Sequence, residues 1–124
     1  MFGDNELSNL IDMAGLLQME CGWQVVIRAE WTDATSQKPH GLDYAIILQN
    51  ERGTRLLGFD NSHAYDGAAE DAPWDHEHKP NRVGQRFPYN FVSASKLITA
   101  FFDRLEAYCK SKGVSSDFSM EQEL

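Results

Sequence analysis

The clearest signal along the chain is an alternation of period two: Trp23, Val25, Ile27, Ala29 and Trp31 interleave with Gln24, Val26, Arg28, Glu30 and Thr32. Aromatic and β-branched residues at that spacing predict a strand over 23–31 with one buried and one mostly solvated face. Upstream, Leu7, Leu10, Ile11 and Ala14 form a helical stripe behind Asp4 or Asn5 as an N-cap. Gly15 weakens any continuation by about 1 kcal/mol relative to alanine. The run from Leu16 to Glu20 therefore reads as a strand that turns at Cys21-Gly22 into the next one. After a polar connection over 32–39, Tyr44-Ala45-Ile46-Ile47-Leu48 is apolar at consecutive positions, which predicts a central strand. Asn50-Glu51-Arg52-Gly53 supplies a hairpin loop, and the segment from Thr54 to Phe59 returns antiparallel, delivering Asp60 and Asn61 to a strand end.

Residues 60–86 show no such periodicity and are rich in Asp, Gly, Pro and His, so a long irregular segment is expected there. Phe87-Pro88-Tyr89-Asn90-Phe91 reads as a short edge strand, because proline cannot donate to a central ladder. Ser93 is placed to cap a helix in which Leu97, Ile98, Phe101, Phe102, Leu105, Tyr108 and Cys109 recur at helical spacing. Gly113 stops it after Lys110 and Lys112. Residues 114–124 are polar with three acids and no base, which predicts an acidic frayed tail. The expected fold is α+β: an antiparallel sheet of about four or five strands, one long C-terminal helix packed on one face, and a long irregular His-containing loop. A single domain spans 1–113.

Length agrees, since 124 residues make one compact domain that holds a core without staples. Cys21 and Cys109 form no CxxC pair and read as thiols of a reducing compartment. An acidic N-terminus and the absence of a long apolar run predict a cytoplasmic protein with no membrane association. The net charge of −8 argues against a broad nucleic-acid-wrapping surface and leaves room only for a local basic patch.

Candidate chemistry concentrates in residues 60–86, which hold His63, His76 and His78. Asp60, Asp66, Glu70, Asp71 and Asp75 come first; Lys79, Arg82 and Arg86 follow. In extended backbone His76 and His78 point to the same side, so Asp75-His76-Glu77-His78 can present two imidazoles together. Such a pair with His63 or Asp60 suits zinc, nickel, manganese or iron. It equally suits metal-independent phosphodiester cleavage, one histidine taking the proton of a ribose 2′-hydroxyl and another protonating the leaving oxygen. Lys79, Arg82 or Arg86 would then hold the phosphate. The plainest alternative is a solvated loop whose histidines bond only to carbonyls. Asp60-Asn61 fits a turn as well as a site. Trp74 either anchors the loop or stacks on a base. His40 reads as a turn residue, although it could face the same strand ends.

In order along the chain stand Pro39-His40-Gly41, Tyr44-Ala45-Ile46-Ile47-Leu48, Gly53, Leu57, Gly58-Phe59-Asp60-Asn61 and His63. Asp75-His76-Glu77-His78, a basic stretch, Pro88-Tyr89-Asn90-Phe91 and an amphipathic helix follow. That order resembles the TumE family, small proteins assigned as toxin components of bacterial toxin–antitoxin pairs, and Asp12-Met13-Ala14-Gly15-Leu16 looks like the start of the family's N-terminal hairpin. The resemblance covers roughly residues 10–110. It implies an antitoxin partner of helix-turn-helix type and a toxic activity directed at RNA or translation. It places the site at Asp60, Asn61, His63, Asp75, His76 and His78. The stretch from Ala64 to Trp74 is longer and more acidic than the family's pattern.

The resulting expectation is a small ribonuclease-like toxin with His63, His76, His78 and Asp60 as catalytic residues. Asn61, Lys79, Arg82 and Arg86 bind substrate, and no cofactor is needed. Its rival is a non-catalytic binding module, either an acidic protein–protein surface or a metal site at His63, His76 and His78.

Overall fold

A computed structural model of the chain describes residues 4–65 and 67–119, the side chains of 4–6 excepted, so the expected cap at Asp4 or Asn5 lies outside the described residues. Helix α1 (Asp4–Asp12) precedes six strands, β1 (Gly15–Gln18), β2 (Gln24–Trp31), β3 (Leu42–Gln49), β4 (Arg55–Asp60), β5 (His76–Lys79) and β6 (Arg82–Pro88). Helix α2 (Ala94–Lys112) follows. The strands form one sheet in sequence order, and every neighbouring pair is antiparallel.

The alternation over β2 decides which face is buried. Val25, Ile27 and Ala29 pair with Leu48, Ile46 and Tyr44 of β3, and Leu57 and Phe59 of β4 continue the same apolar layer. Leu97, Phe101, Leu105 and Cys109 of α2 are buried against it, with Leu7 and Leu10 of α1 closing one end. The ends of α2 are as its sequence predicts. Ser93 accepts from the Lys96 N–H, and Gly113, at φ 69°, donates its N–H to the last-turn carbonyls of Cys109 and Lys110. Ser93→Ala should cost about 1 kcal/mol, read as a lowered thermal midpoint with unchanged chemistry at the distant sheet face.

Four expectations are corrected. The sheet has six strands rather than four or five, because residues 76–88 form a hairpin turning at Pro80-Asn81. It escapes hydropathy because β5 buries His76, Glu77 and His78 instead of apolar side chains. The irregular segment shrinks to 61–75. The edge strand expected over 87–91 ends at Pro88, and Tyr89 instead donates its N–H to the Asp75 carbonyl at 2.9 Å. Finally, residues 114–119 are not frayed. Phe118 bridges Met19 beside β1, its ring 5.9 Å from Phe102, and the Ser119 N–H bonds the Gln18 carbonyl at 2.9 Å. Half-buried Phe118 supplies the apolar contact that the acids of the tail conceal; residues 120–124 lie outside the described residues. Among the described residues no helix is long and apolar enough to cross a membrane.

Candidate functional site

The sheet face away from α2 carries the polar cluster. Register places Arg28, Ala45, Asp60 and His76 in one row across β2 to β5, with Ile47, Gly58 and His78 in the next. A bulge adds to this face. Leu48 pairs with Leu57 but Gln49 with Arg55, so Leu56 is the extra residue and Arg55 turns onto the side of Asp60. A cleft of about 410 Å³ results, lined by Asp60, His63 and His78 with Arg28, Arg55 and Arg86 around them.

At its base three side chains converge. His76 Nε2 lies 2.9 Å from Asp60 Oδ1 and 3.1 Å from His78 Nε2, which in turn lies 3.1 Å from Asp60 Oδ2. His76 Nδ1–H donates to the Trp74 carbonyl at 2.7 Å, and His78 Nδ1–H donates to the Val83 carbonyl at 2.5 Å. Both rings are thereby fixed in orientation and tautomer, with Nε2 turned inward. Neutral rings would bring two nitrogen lone pairs against a carboxylate. That arrangement demands positive charge at the centre, either protons on the rings or a cation. Burial alone would raise the Asp60 carboxyl; where the rings carry those protons, hydrogen bonds from His76 and His78 overcome it and hold Asp60 well below the usual carboxylate range. The Ser62 N–H also donates to Asp60 Oδ1, at 3.1 Å.

These ligand atoms suit one metal ion. Donors bound about 2.1 Å from a shared ion at tetrahedral or octahedral angles stand about 3.0–3.4 Å apart, close to the spacing here. Two histidines and one carboxylate with open positions are a recurrent first-row metal set. A metal-bound histidine also commonly donates its other ring N–H to a carbonyl, as both rings do here.

The residues singled out from sequence fall into distinct places. Asp60, His76 and His78 meet at the centre, and exposed His63 stands on the cleft wall outside the three-residue cluster. Arg86 lines the cleft and donates to the Ala64 carbonyl at 3.4 Å, tying the loop to β6. Lys79 and Arg82 are not among the lining residues; exposed Lys79 lies over the Phe87 ring at 4.6 Å. Asn61 is fully buried and pins the loop to β3, its Oδ1 accepting from the Tyr44 N–H and its Nδ2 donating to the Leu42 carbonyl. Trp74 anchors the loop: its N–H bonds the Gln37 carbonyl at 2.8 Å and Lys38 lies over its ring. Burial pushes the Cys109 thiol up, with Cys21 adding to the effect, which suits an inert core thiol.

Sequence reasoning missed Arg28 and Arg55. Arg28 donates to Asp43 Oδ1 at 3.3 Å and to Ser62 Oγ at 3.2 Å, and Arg55 approaches Asp60 Oδ2 at 3.8 Å. Arg28 could have been found as the cation on the solvated face of β2. His40 proves more than a turn residue, since it is buried and bonds Asp75 Oδ2 at 2.9 Å. Tyr44 donates its hydroxyl to the same oxygen at 2.7 Å, and burial, with the Asp75 charge adding, pushes that hydroxyl well above its ordinary value. Tyr44→Phe should therefore cost about 1–3 kcal/mol in urea unfolding, because a buried charged acceptor loses a donor.

No curated protein and no solved structure matches the chain. A family model described as Toxin TumE matches residues 17–108, from β1 through most of α2 and including every residue of the histidine–carboxylate centre. The chain belongs to the TumE toxin family.

Proposed function

We propose that this toxin component acts on RNA, cleaving phosphodiester bonds at the arginine-lined cleft with a divalent cation held by Asp60, His76 and His78. The observation that carries this reading is the inward convergence of two Nε2 atoms on one carboxylate, each ring locked by its Nδ1–H on a backbone carbonyl. A bound cation would supply Lewis acidity toward a phosphoryl oxygen. Arg28, Arg55 and Arg86 concentrate positive charge on one face of a chain whose net charge is −8, and they would take up the charge that grows on the phosphoryl oxygens. His63, outside the cluster, is the imidazole left to move a proton at the attacking or leaving oxygen.

A second reading draws on His78 lining the cleft with Asp60 behind it. Without a metal, a His78 imidazolium would donate its Nε2 proton to the leaving oxygen. The two histidines could not act from opposite sides of one phosphate, because their Nε2 atoms stand 3.1 Å apart.

Purified protein incubated with RNA, before and after chelation and after return of Mn²⁺, Zn²⁺ or Ni²⁺, separates these readings. Cleavage lost to chelation and restored by one cation supports the first, and undiminished cleavage in chelator supports the second. Intact RNA under every condition defeats both. Arg55→Ala should weaken RNA binding across sequences and lower the salt slope of log K by about one, measured by titration at several salt concentrations. As a toxin component the chain has an antitoxin partner; we propose the helix-turn-helix type, met in the cytoplasm where RNA substrates lie.

A further inference from the structure

Both helices pack on one face of the sheet, and among the described residues no helix covers the opposite face, which holds the arginine-lined cleft. The outward positions of such a face are ordinarily polar. One row departs from this. Leu16 pairs with Val26, Val26 with Ile47, Ile47 with Gly58 and Gly58 with His78. An aliphatic row thus runs from the β1 edge to the cleft, four strand spacings or about 19 Å. Leu16 is 47% exposed, and Val26 and Ile47 are half-buried. The rows beside it are polar but already bonded. On one side Gln24 Nε2 donates to Gln18 Oε1 at 3.0 Å, and Gln49 Nε2 donates to Gln24 Oε1 at 2.9 Å. On the other, Arg28 is held by Asp43 and Ser62, and Lys38 stands 3.6 Å from the same Asp43 oxygen. An exposed apolar strip between polar borders is the anatomy of a protein interface, and covering it need not break any of those bonds.

We propose that the antitoxin lays a segment along this row, aliphatic side chains against Leu16, Val26 and Ile47 and an Asp or Glu carboxylate at the arginine-lined end. Charge complementarity fixes the direction of the segment, because Arg28, Arg55 and Arg86 stand at that end alone. A segment so placed finishes over His78 and fills the entrance that a phosphate would need, which is how binding would neutralise the toxin. Single-stranded RNA is the competing occupant, and the row suits it poorly. RNA on an open sheet stacks its bases on aromatic rings, whereas these side chains are aliphatic throughout. Beyond Arg28 the neighbouring rows offer a phosphate backbone glutamines rather than cations. The proposal rests on toxin-family membership and not on RNA cleavage, so the two can fail separately.

The test titrates the full chain with its purified antitoxin and, separately, with a 2′-O-methyl RNA oligomer that resists cleavage, before and after Leu16→Gln/Val26→Thr. Both substitutions nearly conserve side-chain size and lie outside the cleft lining. The double variant should bind the antitoxin at least tenfold more weakly and the RNA oligomer as the wild type does. Leu16→Gln alone, at an exposed edge position, should weaken the antitoxin several-fold and decides the matter if the double variant does not fold. In methyl NMR of the wild type, antitoxin should shift Leu16, Val26 and Ile47 and leave Met13 and Ile98, in the groove between α1 and α2, unmoved. Four results would overturn the proposal: antitoxin affinity unchanged in a folded variant, methyl shifts confined to Met13 and Ile98, RNA affinity lowered by the substitutions while antitoxin affinity is not, or self-association of the free chain that Leu16→Gln abolishes.

Discussion

Asp60→Asn should abolish growth arrest on expression while leaving a folded chain. The substitution keeps the size of the side chain and removes the charge on which His76 and His78 converge. One carboxylate oxygen becomes an amide nitrogen, whose hydrogens can satisfy only one of the two inward lone pairs and which cannot ligate a cation. The loss in metal affinity should exceed the roughly 10–100-fold typical of removing a hydrogen-bond partner behind a ligand. A readout free of toxicity is available. A cation that binds only the folded chain stabilises it by about 2.7 kcal/mol at 100 times Kd, so Mn²⁺, Zn²⁺ or Ni²⁺ should raise the thermal midpoint of the wild type. That rise should vanish in Asp60→Asn and in the His76→Ala/His78→Ala double variant. A wild-type midpoint indifferent to all three cations would remove the metal reading. Growth arrest by Asp60→Asn equal to wild type would remove the centre itself from the toxic activity.

Much of this arrangement is legible in the sequence, and most of the parts that are not share a cause. Period two places β2, and apolar continuity places β3 in the middle of the sheet. The same period puts His76 and His78 on one side of an extended segment, which is how they stand in β5. Strand β5 itself escapes the pattern because its buried positions are filled by His76, Glu77 and His78, whose burial depends on partners drawn from elsewhere. Asp60 lies 18 residues from His78, and Glu77 is held by Arg104 of α2, 27 residues away, at 2.8 Å. Hydropathy measures the transfer of a side chain alone, so it scores a polar residue as exposed even where an ion pair or a carbonyl offsets the cost of burial. Arg55 is hidden for a different reason. Counting alternate residues back from Phe59 assigns it to the core face, and only the bulge at Leu56 reverses that assignment. The resemblance to the family points to Asp75 without a role; its bonds to His40 and Tyr44 cross 35 and 31 residues, beyond the range of any local pattern.

Gly58→Ala should cost stability and site geometry together. Gly58 occupies the middle of β4, opposite Ile47 on one side and His78 on the other. A Cβ there would lie 2.7 Å from the Ile46 carbonyl oxygen and 3.3 Å from Ile47 Cα. Both are backbone atoms of the central strand, so neither can rotate away as the end of a flexible side chain would. Relief requires β4 to separate from β3, and overpacking of this kind costs about 1–3 kcal/mol. Asp60 lies two residues along the same strand and must move with it, away from rings that Trp74 and Val83 hold in place. Gly53→Ala provides the contrast. Gly53 sits at φ 80° in the β3–β4 turn, and a Cβ added to it would have nothing within 4 Å. Alanine there meets only the left-handed backbone cost of about 1–2 kcal/mol. The two variants should thus lose similar stability in urea, yet only Gly58→Ala should also lose cation-induced stabilisation and growth arrest. Equal retention of both functions would mean that β4 yields without moving Asp60, and that the separation of the two central strands does not govern the site.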